Sequence, residues 1–113
     1  MIHKVFIERE GQSVAQVTFT VPNALWVDRL YLVGDFNEWQ YTTYPMTHDE
    51  RAGHWRITVD LEIGRAYQFR YLCDRDHWLN DSQADAYVVN PYGTDNFVVM
   101  TDPKFKHYSD PKE

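Results

Sequence analysis

The stretch LYLVGDFNEW, from Leu30 to Trp39, decides the fold of this chain. A run of β-forming residues stops at Gly34, and the side chains that follow are the short polar groups and aromatic rings typical of a turn at the end of a strand. The segment therefore predicts a strand whose turn presents Asp35, Asn37 and Trp39 at the edge of a sheet.

Alternation of apolar and polar positions recurs along the rest of the chain. It is clear at Val17–Val21, Trp55–Leu61 and Tyr67–Cys73. Such alternation is typical of half-buried strands, and no segment has the periodicity of a long helix. Further strands are predicted near 5–8, 29–34, 87–89 and 96–100, with turns at 22–23, 34–35, 53, 64, 74–76 and 91–93. We therefore expect an all-β protein, an immunoglobulin-like β-sandwich of about seven to eight short antiparallel strands.

The length of the chain allows one domain. Its 113 residues can build a small core, and a 16% aromatic content supplies much of the volume of that core. The last twelve residues are rich in charged side chains and contain two prolines. We expect a sandwich over residues 1–101 and a loosely held polar tail over residues 102–113.

Composition also indicates which partners and compartments to exclude. The chain has 11 basic and 17 acidic residues, a formal net charge of −6, and no run of lysines or arginines. Nucleic acid is not expected as a partner, because its binding depends on neutralising phosphates. Cys73 is the single cysteine, and the N-terminal sequence lacks the apolar stretch of a signal peptide, so we expect a cytoplasmic protein. No stretch approaches the roughly 18 to 20 apolar residues that span a bilayer, and no membrane partner is expected.

Two tryptophans stand in polar surroundings. Trp39 follows the turn after Gly34, and Trp78 lies in CDRDHWLND, where few neighbours are apolar. Flat rings beside short polar side chains suit a sugar, because a pyranose has an apolar C–H face and polar edges. The alternatives are that Trp39 folds back onto the core and that Trp78 anchors a loop. Trp55 is in phase with its strand and is expected in the core, whereas Trp26 fits either role.

A strand and a turn supply polar side chains that suit the same ligand. Alternation places Arg70 on the outer face of its strand, together with Gln68 and Leu72, toward the side from which Trp78 approaches. The alternative is a solvated or ion-paired arginine.

The turn NPYGTDN, residues 90–96, adds an aromatic surface at Tyr92 and hydrogen-bonding groups at Thr94 and Asn96. The alternative is that Thr94 and Asn96 only satisfy the backbone of their own turn.

Taken in order, these segments resemble the family 48 carbohydrate-binding module. That family includes the glycogen-binding domain of the AMP-activated kinase β-subunit and the N-terminal early-set domain of isoamylases and branching enzymes. The resemblance spans residues 14–100. It is carried by VTFTVPNA (17–24), LVGDFNEW (32–39), Pro45-Met46, Gly53-His54-Trp55, LEIG (61–64), YQFRYLCD (67–74), Trp78, Asn80-Asp81 and NPYGTDN (90–96).

The resemblance implies an early-set sandwich with a carbohydrate site. Trp39 and Trp78 match the two stacking tryptophans of the family, and Arg70 stands where the family has a sugar-contacting lysine. Arginine keeps the charge and the donors of lysine and presents them as a planar fork. On the turn, the bulky apolar residue, the threonine and the asparagine of the family correspond to Tyr92, Thr94 and Asn96.

The expected function is that of a non-catalytic module that binds an α-1,4-linked glucan such as glycogen, starch or maltodextrin, without a cofactor. It would localise or regulate a partner, either a glycogen-metabolising enzyme or a kinase-type protein. One alternative is a protein-interaction or scaffolding sandwich that has lost sugar binding. Another is the accessory N-terminal domain of a family 13 glycoside hydrolase or branching enzyme, although a complete small protein is an equal expectation.

Catalysis and metal binding are not expected. A glycosidase needs two carboxyl groups at a controlled separation, and the sequence predicts polar loops without a cleft around the candidate carboxylates. These carboxylates are Asp74, Asp76, Asp81 and Asp85. A second set of polar residues lies on a predicted hairpin loop and lacks the ligand spacing of a known zinc site. Its members are His48, Asp49, Glu50 and His54.

Overall fold

Alternating apolar residues assemble into two antiparallel sheets. The computed structural model describes residues 2–22, 27–74, 77–79 and 84–103. A 3-10 turn, Asp35–Asn37, follows the third strand. The strands are β1 (Ile2–Arg9), β2 (Gln12–Pro22), β3 (Leu30–Gly34), β4 (Thr47–Asp49), β5 (His54–Glu62), β6 (Ala66–Cys73), β7 (His77–Leu79), β8 (Ala86–Val89) and β9 (Asp95–Met100).

The topology confirms the predicted early-set, immunoglobulin-like sandwich. One sheet has the strand order β1-β2-β5-β4, and the other has the order β3-β6-β9-β8 with β7 also paired to β6. All of these pairs are antiparallel. Within the described residues, no helix is long and apolar enough to cross a membrane.

Strand β6 organises the second sheet because it pairs along both of its edges. On one edge it pairs with β3, from Gly34 opposite Phe69 to Leu30 opposite Cys73. On the other edge β9 pairs with residues 66–69 and β7 pairs with residues 71–73. Arg70 therefore lies at the junction between the end of β9 pairing and the start of β7 pairing.

The core consists of inward-facing aromatic and branched side chains from both sheets. Phe19 and Phe69 meet across the interface with ring centroids 5.1 Å apart, in an edge-to-face geometry. Phe69 also contacts Tyr71 and Phe97, at 5.5 and 5.7 Å. Edge-to-face pairs of this kind add to the stabilisation that burial provides. Trp55 is buried, as predicted, and stacks on His48 with centroids 4.6 Å apart.

Two strands and one buried side chain differ from the sequence predictions. Strands β4 and β7 were not predicted, because three residues are too few to show alternation. Trp78 accordingly belongs to a strand and is half-buried, which corrects its placement in a polar loop. Leu72, predicted on the wet outer face of β6, is only 2% exposed. Its backbone lies opposite Trp78, and β7 therefore extends the sheet beside it.

Some predictions concern residues outside the described part of the chain. They are the role of Trp26, the Asn80-Asp81 pair, most of the predicted 22–23 and 74–76 turns, and the tail beyond residue 103.

A buried ion pair joins the two sheets along one side of the sandwich. The Lys4 ammonium of β1 lies 2.6 Å from a carboxylate oxygen of Asp85, which precedes β8. Both side chains are shielded, with 13% and 6% of their surface exposed. The same Asp85 oxygen accepts a hydrogen bond from the Met100 amide at 2.7 Å. The carboxylate thus ties β1 to β9 as well as to its own segment.

Replacing the carboxylate at this point should destabilise the sandwich strongly. We expect Asp85→Ala to lower the free energy of unfolding by about 3 kcal/mol, because it removes the shielded carboxylate that pairs with the Lys4 ammonium and accepts a hydrogen bond from the Met100 amide. The matched control is Asp60→Ala, which breaks an exposed pair with Arg9 and should cost less than about 1 kcal/mol. Urea unfolding followed by circular dichroism measures both; similar losses would contradict a structural role for the buried pair.

Gly34 occupies a position that has no room for a side chain. A Cβ atom there would lie 2.5 Å from the Gln68 carbonyl oxygen and 2.9 Å from Phe69 Cβ. We expect Gly34→Ala to cost about 2 to 3 kcal/mol, because β3 and β6 must move apart. Gly53→Asn is the control: its surroundings are open and asparagine tolerates its φ of +74°, so the change should stay within about 0.5 kcal/mol. Equal melting temperatures for the two variants would contradict the close approach.

Candidate functional site

The outer face of the five-stranded sheet carries most of the predicted site residues. Along β6 the side chains of Gln68, Arg70 and Leu72 alternate with the inward-facing Phe69 and Tyr71. Alternate side chains on a strand are about 7 Å apart, so this row extends over about 13 Å. Both tryptophans are held by contacts with this strand.

Trp39 is held at one end of this row by the turn after β3. The turn is closed by Asn37, whose side-chain oxygen accepts a hydrogen bond from Gly34 N at 3.0 Å and whose amide donates to Thr43 Oγ1 at 2.9 Å. The backbone N–H of Trp39 donates to Gly34 O at 2.9 Å, and Trp39 itself adopts a left-handed conformation with φ of +58°. The indole is half-buried, at the edge of the sheet.

The carboxylate of Asp35 fixes the orientation of that indole. Trp39 Nε1 donates a hydrogen bond to Asp35 Oδ1 at 2.8 Å. The second oxygen of Asp35 accepts from the Gln68 amide at 2.8 Å. One side chain therefore ties the tryptophan to β6, and the polar edge of the ring is satisfied by the protein.

Trp78 is held at the other end by a cation and by a second ring. The Arg70 guanidinium carbon lies 4.9 Å from the centroid of the Trp78 ring, a cation–π geometry. Tyr41 meets Trp78 edge to face, with centroids 5.6 Å apart and planes at 83°. Arg70 faces the outer side of the sheet toward Trp78, which is the predicted orientation.

The environment of Arg70 is unusual for an arginine. Within the described residues, its buried Nε atom has no hydrogen-bond partner. Partial burial lowers the pKa of the guanidinium, and the negative charge of Asp95 opposes this effect. Arginine starts from so high a pKa that it stays protonated at neutral pH. The site thus keeps a fixed positive charge beneath the Trp78 ring.

The 90–96 turn is organised by Asn90, a residue that the sequence reasoning missed. Its side-chain oxygen accepts hydrogen bonds from the amides of Tyr92 and Thr94, at 2.9 and 3.2 Å. Its side-chain nitrogen donates to Thr94 Oγ1 at 2.8 Å and to Asn96 Oδ1 at 3.2 Å. An asparagine before a proline is a turn signal that could have identified it.

Asn96 connects this turn to β6. Its side-chain nitrogen donates to Gln68 Oε1 at 3.0 Å. Hydrogen bonds therefore run from the Trp39 indole through Asp35, Gln68 and Asn96 to the turn. The alternative was that Thr94 and Asn96 only satisfy the backbone of their own turn. Both side chains instead form hydrogen bonds with other side chains, Thr94 with Asn90 and Asn96 with Asn90 and Gln68. Gln68 and Tyr41 join the site as residues that the sequence reasoning did not select, whereas Asp35 was predicted on the turn beside Trp39.

Tyr92 occupies a different setting from the rest. Its side chain is 89% exposed, on a turn whose Gly93 has a φ of +83°. The structure therefore brings Trp39, Arg70, Trp78 and Asn96 into one connected face and leaves the Tyr92 ring projecting into solvent.

The other polar clusters have structural contacts. Asp74 Oδ1 accepts hydrogen bonds from the amides of Asp28 and Arg29, at 3.0 and 3.1 Å. Asp85 lies outside the strands, as predicted, directly before β8, and it is buried in its ion pair with Lys4. Asp76 and Asp81 lie outside the described residues. In the described ranges, no group of three histidine, cysteine or carboxylate side chains is arranged to hold a metal ion.

Comparison with known proteins relates this chain to a family. The family model for carbohydrate-binding module 48 (isoamylase N-terminal domain) matches residues 8–93. The 1,4-alpha-glucan branching enzyme GlgB of Novosphingobium aromaticivorans is 33% identical over 84 residues, which are 74% of this chain and 11% of that enzyme. The GlgB enzyme of Rhodopirellula baltica is 31% identical over 84 residues, 72% of this chain and 11% of its own length. The GlgB enzyme of Mesorhizobium japonicum is 31% identical over 67 residues, 58% of this chain and 9% of its length.

The chain spans about a tenth of the length of the curated relatives that it matches. The family model, in contrast, covers most of the chain and includes β2 to β8 in full. The chain therefore belongs to the carbohydrate-binding module 48 family.

Proposed function

We propose that this domain is a non-catalytic module that binds α-1,4-linked glucans on the outer face of its five-stranded sheet. The observation that carries the proposal is that one strand, β6, holds two aromatic rings in place. Trp39 is tied to Gln68 through Asp35, and Trp78 rests on Arg70. The printed names of the relatives, 1,4-alpha-glucan branching enzymes, favour an α-glucan as the ligand.

The chemistry of this face suits a neutral sugar chain. Indole faces cover the apolar C–H surface of a glucose ring, while amides and the guanidinium address its hydroxyls. Asn96 and Thr94 lie on the same hydrogen-bonded network as Trp39, and Tyr92 supplies a further exposed ring on the turn. We propose these three residues, with Trp39, Arg70 and Trp78, as the sugar contacts.

The cellular role that we propose is to hold an enzyme of glycogen metabolism on its polymer, in the cytoplasm. The matches to branching enzymes favour an accessory domain of such an enzyme over a kinase-type partner. The alternative is a protein-interaction sandwich that does not bind sugar. The following titration distinguishes it from a glucan-binding module.

Removal of both rings should abolish glucan binding. Each stacked tryptophan loses on the order of 100 Å² of apolar surface, a gross gain of about 2.5 kcal/mol, from which the entropic cost of association is subtracted. We therefore expect a Kd for maltoheptaose between about 10 μM and a few mM for the parent domain. The double variant Trp39→Ala, Trp78→Ala should show no saturable binding by calorimetry.

The control for this experiment is Phe6→Ala, which removes a half-exposed ring from β1 of the opposite sheet and should leave the Kd unchanged. Circular dichroism establishes that both variants are folded. If the parent domain shows no binding up to about 10 mM maltoheptaose, the proposed function is overturned and the protein-interaction alternative is favoured.

The charge of Arg70 should matter more than its fork geometry. Arg70→Lys keeps a cation near the Trp78 ring and should stay within about threefold of the parent Kd, whereas Arg70→Ala should weaken binding by about tenfold. The matched control is Arg56→Ala, an exposed arginine on the outer face of β5. Equal affinities for Arg70→Ala and Arg56→Ala would remove Arg70 from the site.

A further inference from the structure

An open groove lies at the end of β6, beyond Trp78. It encloses about 840 Å³ between the start of β3, the loop that carries Tyr41 and the end of β6. We call it the tyrosine groove, and its principal lining residues are Asp28, Tyr31, Tyr41, Thr42, Leu72 and Asp74. None of these residues was selected for its sugar chemistry from the sequence.

We call the proposed sugar-contacting surface of Trp39 and Trp78 the platform. The tyrosine groove is continuous with the Trp78 end of this platform through two residues. Tyr41 lines the groove and also meets the Trp78 ring at 5.6 Å, with 56% of its own surface exposed. Leu72 forms the apolar floor and lies opposite Trp78 in the sheet. A chain lying across Trp78 away from Arg70 would therefore enter this groove next.

The lining has the mixed character that a sugar ring requires. Tyr31 and Tyr41 supply aromatic surface, and Thr42 and Asp74 supply hydrogen-bonding groups at the rim. The two hydrogen bonds from backbone amides to Asp74 Oδ1 orient its carboxylate.

The charges of the groove disfavour a phosphate and the polar rim disfavours a purely apolar ligand. Asp28 and Asp74 place two carboxylates beside one arginine, Arg29, and His77 completes the lining. A neutral polyol meets neither the repulsion that an anion would meet nor the desolvation cost of an apolar ligand.

We propose that the tyrosine groove is an additional glucose subsite, which receives the units of the α-glucan chain that extend past Trp78. This inference rests on the proposed function. It predicts that the affinity rises with chain length beyond the oligosaccharide that covers Trp39 and Trp78, and that Tyr41 serves both the platform and the groove.

The test is to fill the groove with a larger side chain and leave Trp39 and Trp78 unchanged. Thr42→Arg adds a long cation that Asp28 and Asp74 attract into the groove, while Thr47→Arg adds the same charge to an exposed position on β4 of the other sheet. The Kd values of maltotriose, maltopentaose, maltoheptaose and a longer maltodextrin are measured for the parent and both variants. NMR amide shifts of Leu72 and Asp74 are followed in the same titrations.

We expect the parent and Thr47→Arg to bind the longest chains about fivefold more tightly than the shortest that covers both tryptophans, the order of gain of one added aromatic contact. Thr42→Arg should bind the short chain normally and lose this gain, and only long chains should shift Leu72 and Asp74 in the parent.

Three results would overturn the subsite. If Thr42→Arg and the parent agree at every chain length, the groove is empty of sugar while the platform function stands. If Thr42→Arg loses the short chains as well, the groove is not a separate extension. If the parent binds no glucan, the proposed function fails and the subsite fails with it.

Discussion

The close approach of β3 and β6 at Gly34 is the constraint on which the site depends. Because no Cβ is present, the two backbones come near enough for Asp35 to reach the Gln68 amide of the neighbouring strand. The same carboxylate accepts the hydrogen bond of the Trp39 indole. The position of a surface tryptophan is therefore set by a backbone contact within the sandwich, and a larger residue at position 34 would disturb both.

Strand β6 divides its residues between the core and the candidate site. Phe69 and Tyr71 face the core and contact each other, and Phe69 also contacts Phe19 of the opposite sheet. Gln68 and Arg70 face outward, where the Gln68 side chain accepts a hydrogen bond from Asn96 and Arg70 meets the Trp78 ring. Since the inward side chains are almost fully buried, the strand cannot rotate or slide by one residue without exposing them. The spacing of the outward side chains is consequently as rigid as the core itself.

The fold could be predicted in most of its parts because alternation is a local signal. The long strands, such as Trp55–Leu61, and the turn at Gly34 required only neighbouring residues for their identification. The site was less accessible, since its decisive contacts join residues far apart in sequence, such as Asp35 with Gln68 and Tyr41 with Trp78.

Short elements marked the limit of the sequence reasoning. Strand β7 has three residues and no periodicity, so neither the placement of Trp78 in a strand nor the burial of Leu72 could be inferred from alternation. Asn90 illustrates a different loss: its turn was recognised, but the four hydrogen bonds of its side chain depend on a geometry that the sequence does not specify. Composition indicates that a turn is present, and the structure specifies which side chain closes it.

The contacts of Trp78 with Tyr41 and Arg70 have a consequence for the entropy of recognition. An exposed side chain that becomes ordered on binding costs about 0.5 to 1.5 kcal/mol of lost rotamer freedom. Here the indole is already restrained by the Arg70 cation over its ring and by an edge-to-face contact with Tyr41 before any ligand arrives. In the proposed glucan complex, the loss of motion on binding would then fall mainly on the flexible sugar chain.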